Sequence, residues 1–144
     1  MDWSWIDWPA AQGEAELTAF VTQLCRLRHS QPVFRRRQFF TESEVEWLRP
    51  DGDPMTDGDW GNPDSRSLAA ALPEHDAFLL MINGWWEPLS FTLPRRLAGA
   101  RWSLVFDTAQ ELSAAPFSSD SSSEVQLAGR SMVLLQRHDA TETL

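Results

Sequence analysis

Carboxylates crowd one short stretch of the chain, which runs from Trp47 to Trp60 and on to a second turn at Asn62-Pro63. Clustered carboxylate oxygens are the ligands that hard cations such as Ca²⁺ take. Their spacing does not match the ligand positions and the closing glutamate of an EF-hand loop, whereas Pro50-Asp51-Gly52 is a turn signal. We therefore predict turn-forming and capping roles and no metal site, with calcium binding as the alternative. The acids are Asp51, Asp53, Asp57, Asp59 and Asp64.

A tryptophan pair, Trp85-Trp86, follows the strong turn dipeptide Asn83-Gly84. Flat aromatic rings that are exposed at a turn can stack on sugar rings, so the pair is a candidate substrate-binding site. Glu87 could accept a hydrogen bond from a sugar hydroxyl, or it could simply solvate the turn. The alternative is packing: successive strand residues point to opposite faces, so one ring would enter the core and the other would cover a neighbour.

The other residues with catalytic potential are isolated. His29, His75 and His138 have no spacing that suits zinc, and Cys25 is the single cysteine. No G-x-S-x-G motif is present to carry a nucleophilic serine. The sequence therefore predicts no catalytic residue and no cofactor.

Charge and composition restrict the class of partner. The formal net charge is −9 and the isoelectric point is near 4.7, which excludes nucleic acid and anionic membranes as partners because both need a basic surface. An uncharged ligand or a protein remains. The single cysteine, the lack of a signal peptide and the lack of a long apolar run predict a cytoplasmic protein.

These residues must be positioned by a small, mainly β domain. Leu17, Phe20, Val21, Leu24 and Leu27 recur at intervals of three and four, which predicts an amphipathic helix over residues 14–29. Beyond it, short alternating or apolar runs are separated by turn residues. This pattern predicts an antiparallel β-sandwich of the Greek-key type with about 7–8 strands, preceded by one amphipathic α-helix.

Several stretches, taken in order, resemble the C-terminal region of bacterial glycogen debranching enzymes of the isoamylase type, in the α-amylase superfamily. The resemblance covers nearly the whole chain. One departure is Asn83-Gly84-Trp85-Trp86, where that family usually has Asn-Ala-His-His or similar. The stretches are Trp5-Ile6-Asp7-Trp8, residues 27–37, Trp47-Leu48-Arg49-Pro50-Asp51-Gly52, Met55-Thr56-Asp57-Gly58-Asp59-Trp60, Phe91-Thr92-Leu93-Pro94, Trp102-Ser103-Leu104-Val105-Phe106-Asp107-Thr108 and Gly129-Arg130-Ser131-Met132-Val133-Leu134-Leu135.

The resemblance implies a division of the chain. Residues 1–32 would be the loop and final helix of a TIM barrel, and residues 33–144 would be the C-terminal β-sandwich. The family's catalytic carboxylates lie on barrel strands upstream of this chain, which we therefore expect to be inactive alone. Its role would be to pack on the catalytic barrel of an enzyme that hydrolyses α-1,6 branch linkages in glycogen-like glucans.

By the same resemblance, the N-terminal aromatic residues would lie at the substrate face of the barrel. Trp3, Trp5 and Asp7 would border the glucan cleft, although Trp5 could instead pack between barrel and sandwich and Asp7 could cap the turn before the helix. Trp8, together with Trp47 and Trp60 of the sandwich, is the predicted structural interface. Two alternatives stay open for the whole chain: a stand-alone glucan-binding module that uses exposed tryptophans, and a protein-interaction domain.

Overall fold

The computed structural model describes residues 8–41, 44–72, 78–97, 100–109 and 124–138. The chain divides into two compact units, Met1–Phe39 and Phe40–Leu144. The assignment of residues 1–32 to a barrel stays a prediction. None of the helices in these ranges is long and apolar enough to cross a membrane.

The first unit is helical. A short helix, α1, spans Trp8–Gly13, the main helix, α2, spans Ala15–Ser30, and a 3-10 turn spans Pro32–Arg35. Helix α2 begins one residue after the predicted start, with Glu14 at its N-cap, and Pro32 prevents its continuation. No residue of α2 is buried, and Leu17 and Val21 on its apolar face remain exposed. Within the described residues, part of the apolar face of this helix is therefore exposed.

The second unit is an antiparallel β-sandwich, as predicted. One sheet has five strands in the order β1-β2-β3-β7-β5, and the other pairs β4 with β6. A four-residue helix, α3, spans Asp57–Trp60, and a second 3-10 turn spans Arg95–Leu97. The strands are β1 Glu46–Leu48, β2 Ser67–Leu72, β3 Phe78–Asn83, β4 Leu89–Thr92, β5 Arg101–Asp107, β6 Glu124–Leu127 and β7 Ser131–His138.

The core lies between the two sheets and follows the two-residue alternation of the strands. The inner face of the large sheet contributes Leu79 and Met81 on β3, whose register partners on β2 are the small residues Ala71 and Ala69. Phe91, Leu93, Val125 and Leu127 meet them from the small sheet and its flank. The described core is therefore aliphatic, with Phe91 and Trp102 as its large aromatic residues.

One buried amide joins the two sheets at one end of the sandwich. Asn83, the last residue of β3, is 1% exposed. Its Nδ2 donates to the carbonyl oxygens of Glu87 (2.9 Å) and Ala128 (3.0 Å), which belong to the loops that lead into β4 and out of β6. Its Oδ1 accepts from Ser67 Oγ (2.9 Å) and from the Trp85 amide (3.1 Å). All four hydrogen-bonding positions of the amide are used.

We expect Asn83→Ala to destabilise the chain by about 3 kcal/mol, because it removes four part-buried hydrogen bonds that link the two sheets. Ser67→Ala is the matched control: it removes one of these bonds and should cost about 1 kcal/mol. Urea unfolding of both variants measures the difference in the free energy of unfolding, provided that this free energy falls with urea concentration at the same slope in both. Equal midpoints for the two variants would contradict a central role for Asn83.

Candidate functional site

The tryptophan pair forms a stacked platform on the loop between β3 and β4. The ring centroids of Trp85 and Trp86 lie 3.6 Å apart with an interplanar angle of 24°. Strand β3 ends at Asn83, so the alternation that would send the two rings to opposite faces does not apply to them. Trp85 is half-buried, and Trp86 is 55% exposed.

A cation lies behind the pair. The guanidinium carbon of Arg66 is 5.2 Å from the centroid of the Trp85 ring, within the range of a cation–π contact. Trp86 already occupies one face of Trp85, which leaves the other face for Arg66. The indole nitrogen of Trp85 donates a long hydrogen bond of 3.4 Å to Glu87 Oε2. Arg66, Trp85 and Trp86 therefore form three layers, and the outermost ring is the exposed one.

The backbone beneath this platform is held from the turn between β6 and β7. The Arg130 amide donates to the Trp85 carbonyl oxygen at 2.7 Å, and Arg130 takes a left-handed φ of 55° to do so. Next to it, a Cβ added to Gly129 would lie 2.1 Å from the Trp86 carbonyl oxygen. Only glycine allows this approach. Together with the bonds from Asn83, these contacts fix the backbone that carries both rings.

The acidic stretch is organised around Arg49. Its Nε donates to Asp51 Oδ1 at 3.1 Å, and its Nη2 lies 3.0 Å from Asp51 Oδ2 and 3.3 Å from Asp53 Oδ2. Asp59 Oδ2 is 3.7 Å from Nη1. Asp59 and Thr56 also form a capping box at the start of α3. Three of the five candidate carboxylates thus converge on a guanidinium.

These contacts shift the pKa values of the charged groups. Burial alone would raise the pKa of Asp51, but the Asp53 backbone amide and the Arg49 side chain hold it below its ordinary value. The hydroxyl and then the backbone amide of Thr56 lower the pKa of Asp59, and Arg49 adds to this effect. The hydrogen bond to Asp51 raises the pKa of Arg49. All three groups are therefore stabilised in their charged forms.

The predicted interface residues of the sandwich form an exposed aromatic pair. Trp47 on β1 and Trp60 at the end of α3 meet edge to face, with ring centroids 5.8 Å apart and an interplanar angle of 81°. They are 43% and 53% exposed. The loop that separates them in sequence returns to β1, where the Met55 amide donates to the Trp47 carbonyl oxygen at 2.9 Å.

The predicted site residues thus fall into separate groups. Trp85 and Trp86 lie together, Trp47 and Trp60 lie together, and Trp8 is exposed at the start of α1 in the first unit. Trp3, Trp5 and Asp7 lie outside the described residues. In the ranges that the structure describes, no three His, Cys, Asp or Glu side chains form a group that could hold a metal ion.

Sequence reasoning missed the residues that support the platform: Arg66, Asn83 and Gly129. Asn83 was interpreted only as part of a turn dipeptide, because the partners of its side chain are up to 45 positions away. Gly129 was noted only as the first residue of one of the family-like stretches, and nothing in that stretch indicated that Trp86 lies against it.

The chain belongs to the isoamylase C-terminal family, whose model matches residues 44–136. The resemblance found in the sequence is therefore confirmed.

The relatives are much longer proteins. A glycogen operon protein GlgX homolog of Mycobacterium tuberculosis is 27% identical over an alignment of 157 positions, which covers 93% of this chain and 22% of the relative. Isoamylase of Pseudomonas amyloderamosa is 24% identical, over 73% of this chain and 14% of that protein. Glycogen debranching enzyme of Yersinia enterocolitica is 30% identical, over 63% of this chain and 13% of that protein. The chain thus spans about a fifth or less of these relatives.

The fold also matches a solved structure of the trehalulose synthase MutB from Pseudomonas mesoacidophila. The TM-score is 0.55 at 19% identity, over 88% of this chain and 19% of that one. At this identity the match concerns the fold alone.

We expect Gly129→Ala to destabilise the chain by about 2 kcal/mol, because the added methyl group would clash with the Trp86 backbone and displace the loop. Gly58→Ala is the matched control, since its Cβ would meet only Thr56 Oγ1 at 3.7 Å. Urea unfolding measures both variants. A Gly129→Ala variant as stable as Gly58→Ala would mean that the platform does not depend on this close approach.

The Arg49 network should make stability depend on pH in acid. A carboxylate whose pKa is lowered by folding contributes stability that is complete above its unfolded pKa, about 3.9, and is lost as the pH falls through the folded value. The destabilisation caused by Asp59→Asn should therefore shrink as the pH is lowered from 7 to below about 4. Unfolding curves at several pH values measure this trend.

Asp64→Asn is the control for charge, because it removes the same charge from a separate turn. In that turn the backbone amide of Asp64 donates a hydrogen bond to Asn62 Oδ1. The difference between the two asparagine variants isolates the Arg49 network. A difference that grows as the pH falls would contradict this account.

Proposed function

We propose that this chain is the non-catalytic C-terminal part of a glycogen debranching enzyme that hydrolyses α-1,6 branch linkages in glycogen-like glucans. It would pack on the catalytic barrel of the same protein and support it. The observation that carries this proposal is the family match over residues 44–136, combined with relatives in which the aligned segment makes up about a fifth or less of the length. Exposed, unpaired Cys25 fits a cytoplasmic setting.

Two of the candidate carboxylates, Asp51 and Asp59, are unsuited to act as a general acid. A retaining glycosidase needs two carboxyl groups about 5–5.5 Å apart, and the general acid needs a raised pKa. Asp51 and Asp59 have lowered pKa values instead. They are also engaged by Arg49, which holds them as anions. On this proposal the chain alone is inactive.

Exposed apolar surface on both units supports contact with another domain. On the first unit, Trp8 is 65% exposed, and Leu17 and Val21 on the apolar face of α2 are exposed. In the proposal, residues 1–32 are the last loop and helix of the barrel, and this surface would be buried there. Large exposed aromatic rings are otherwise unfavourable in water, since each covers about 150–250 Å².

The sandwich exposes a second such surface at one edge of its large sheet, where Trp47 meets Trp60. One register row across all five strands is apolar and ends in aromatic residues at both edges, which is typical of a sheet that is covered on both faces. Leu134 in the centre of this row is buried, whereas Trp47 at its edge is exposed and meets exposed Trp60. We propose that this edge braces the barrel. The row is Trp47, Ala70, Leu80, Leu134 and Phe106.

The test compares this chain with the protein extended upstream through the barrel. The extended protein should release linear maltooligosaccharides from glycogen, and the 144-residue chain should release none. Debranching by the chain alone, or none by the extended protein, would contradict the proposal.

Replacing both Trp47 and Trp60 by alanine tests the proposed brace. In the 144-residue chain the loss should comprise the pair's own contact, about 0.5–1.5 kcal/mol, and the apolar area that the two half-buried rings bury within the sandwich. In the extended protein the same change should lower the thermal midpoint by several degrees and reduce debranching, because the barrel contact is lost as well. An equal effect in both proteins would place the pair outside the interface.

A further inference from the structure

We propose that the open face of Trp86 binds a pyranose ring of a neutral glucan, so that the sandwich carries a sugar-binding site of its own. The choice of an α-1,4-linked glucan rests on the proposed function, whereas the site itself rests on the geometry of the loop.

Trp86 exposes one face of its ring to solvent. Its ring is stacked on Trp85 at 3.6 Å, and this contact hides one face. A ring covered on both faces could not remain 55% exposed. The second face of Trp86 is therefore open to solvent, and it is a flat apolar surface of the kind on which the C–H groups of a sugar ring pack.

The loop that carries Trp85 and Trp86 is held rigidly before any ligand binds. Binding loses affinity when a loop must be ordered, and a platform fixed beforehand avoids that loss. Here the Trp85 amide and carbonyl groups are bonded to Asn83 and Arg130. The Trp86 carbonyl lies against Gly129, and the Trp85 ring supports the Trp86 ring from below. A tryptophan has only two side-chain torsions, so little freedom remains to be lost.

The platform of Trp85 and Trp86 has a polar group, the Glu87 carboxylate, at its edge. Glu87 is exposed, and its carboxylate lies beside the Trp85 indole nitrogen at 3.4 Å. This places a strong acceptor next to the stacked rings, where it can accept hydrogen bonds from sugar hydroxyl groups. An aromatic face with a carboxylate at its edge suits a polyhydroxylated neutral ring.

The negative charge of the chain favours an uncharged ligand. Nucleic acid bases also stack on tryptophan, but a polyanion would approach a chain with a net charge of −9 and the Glu87 carboxylate beside the ring. The guanidinium of Arg66 is engaged beneath Trp85. An uncharged glucan meets none of this repulsion, and glycogen-like chains supply such rings in many copies.

The experiment is a titration of the ¹⁵N-labelled 144-residue chain with maltoheptaose, followed by the indole N–H signals of its eight tryptophans. Single Trp→Phe variants assign the signals. We expect saturable shifts of the Trp85 and Trp86 signals with a dissociation constant on the order of 1 mM, as befits one stacked sugar ring. The Trp47 and Trp60 signals should not move.

Variants connect the shifts to the open face. Trp86→Ala and Trp86→Leu should abolish binding, because leucine keeps apolar bulk but not the flat ring, and Trp86→Phe should weaken it several-fold. Trp60→Ala is the matched control, since Trp60 is equally exposed, and it should leave binding unchanged. The backbone spectrum of each variant verifies that it is folded.

The proposal is overturned if maltoheptaose causes no shifts, if the shifts persist in Trp86→Ala and Trp86→Leu, or if a β-1,4-linked glucan of similar length binds in its place. It is also overturned if the pair is occupied by a second copy of the chain, which would appear as concentration-dependent shifts without sugar. Debranching by the extended protein needs no sugar on Trp86, so either proposal can fail while the other stands.

Discussion

The sandwich depends on one buried side-chain amide. Asn83 ends the central strand β3 of the large sheet, and its four hydrogen bonds reach a neighbouring strand and the loops on either side of the small sheet. Apolar packing between sheets is not directional, so it does not by itself determine where one sheet stops against the other. A fully satisfied amide does, because any sliding of the sheets would leave buried polar groups without partners.

The acidic stretch follows the edge strand β1, and it brings many like charges close together. A loop with this many carboxylates repels itself, and Arg49 offsets the repulsion by contacting Asp51, Asp53 and Asp59. The loop is also attached to the small sheet, because the Thr92 amide donates to the Pro50 carbonyl oxygen at 2.7 Å. Gly52, at a φ of 86°, lets the turn lie against the Thr92 backbone. Trp47 and Trp60 are thereby held together although 13 residues apart in the sequence.

The fold was predictable from the sequence because its signals are local. The helical spacing, the turn dipeptides and the alternating runs each predict one element, and together they predict the helix and the sandwich. The site was only partly predictable. Trp85 and Trp86 were visible as a pair, but their stacking depends on where β3 ends and on Arg66, Gly129 and Arg130, which adjacent residues do not specify. In the same way, aspartates close in sequence suggested a cation, and their cation is the side chain of Arg49.

The close approach of Gly129 to Trp86 has a consequence for how this surface can change. The restraints on the loop act through its backbone and through Asn83, whereas the exposed Trp86 side chain takes no part in them. The stability of the sandwich therefore depends on that side chain only through its stacking on Trp85. Mutation can replace it, and with it the ligand that this corner recognises, without requiring compensating changes in the core. Position 86 can therefore vary in evolution, whereas the surrounding loop backbone and the core of the sandwich are constrained by their contacts.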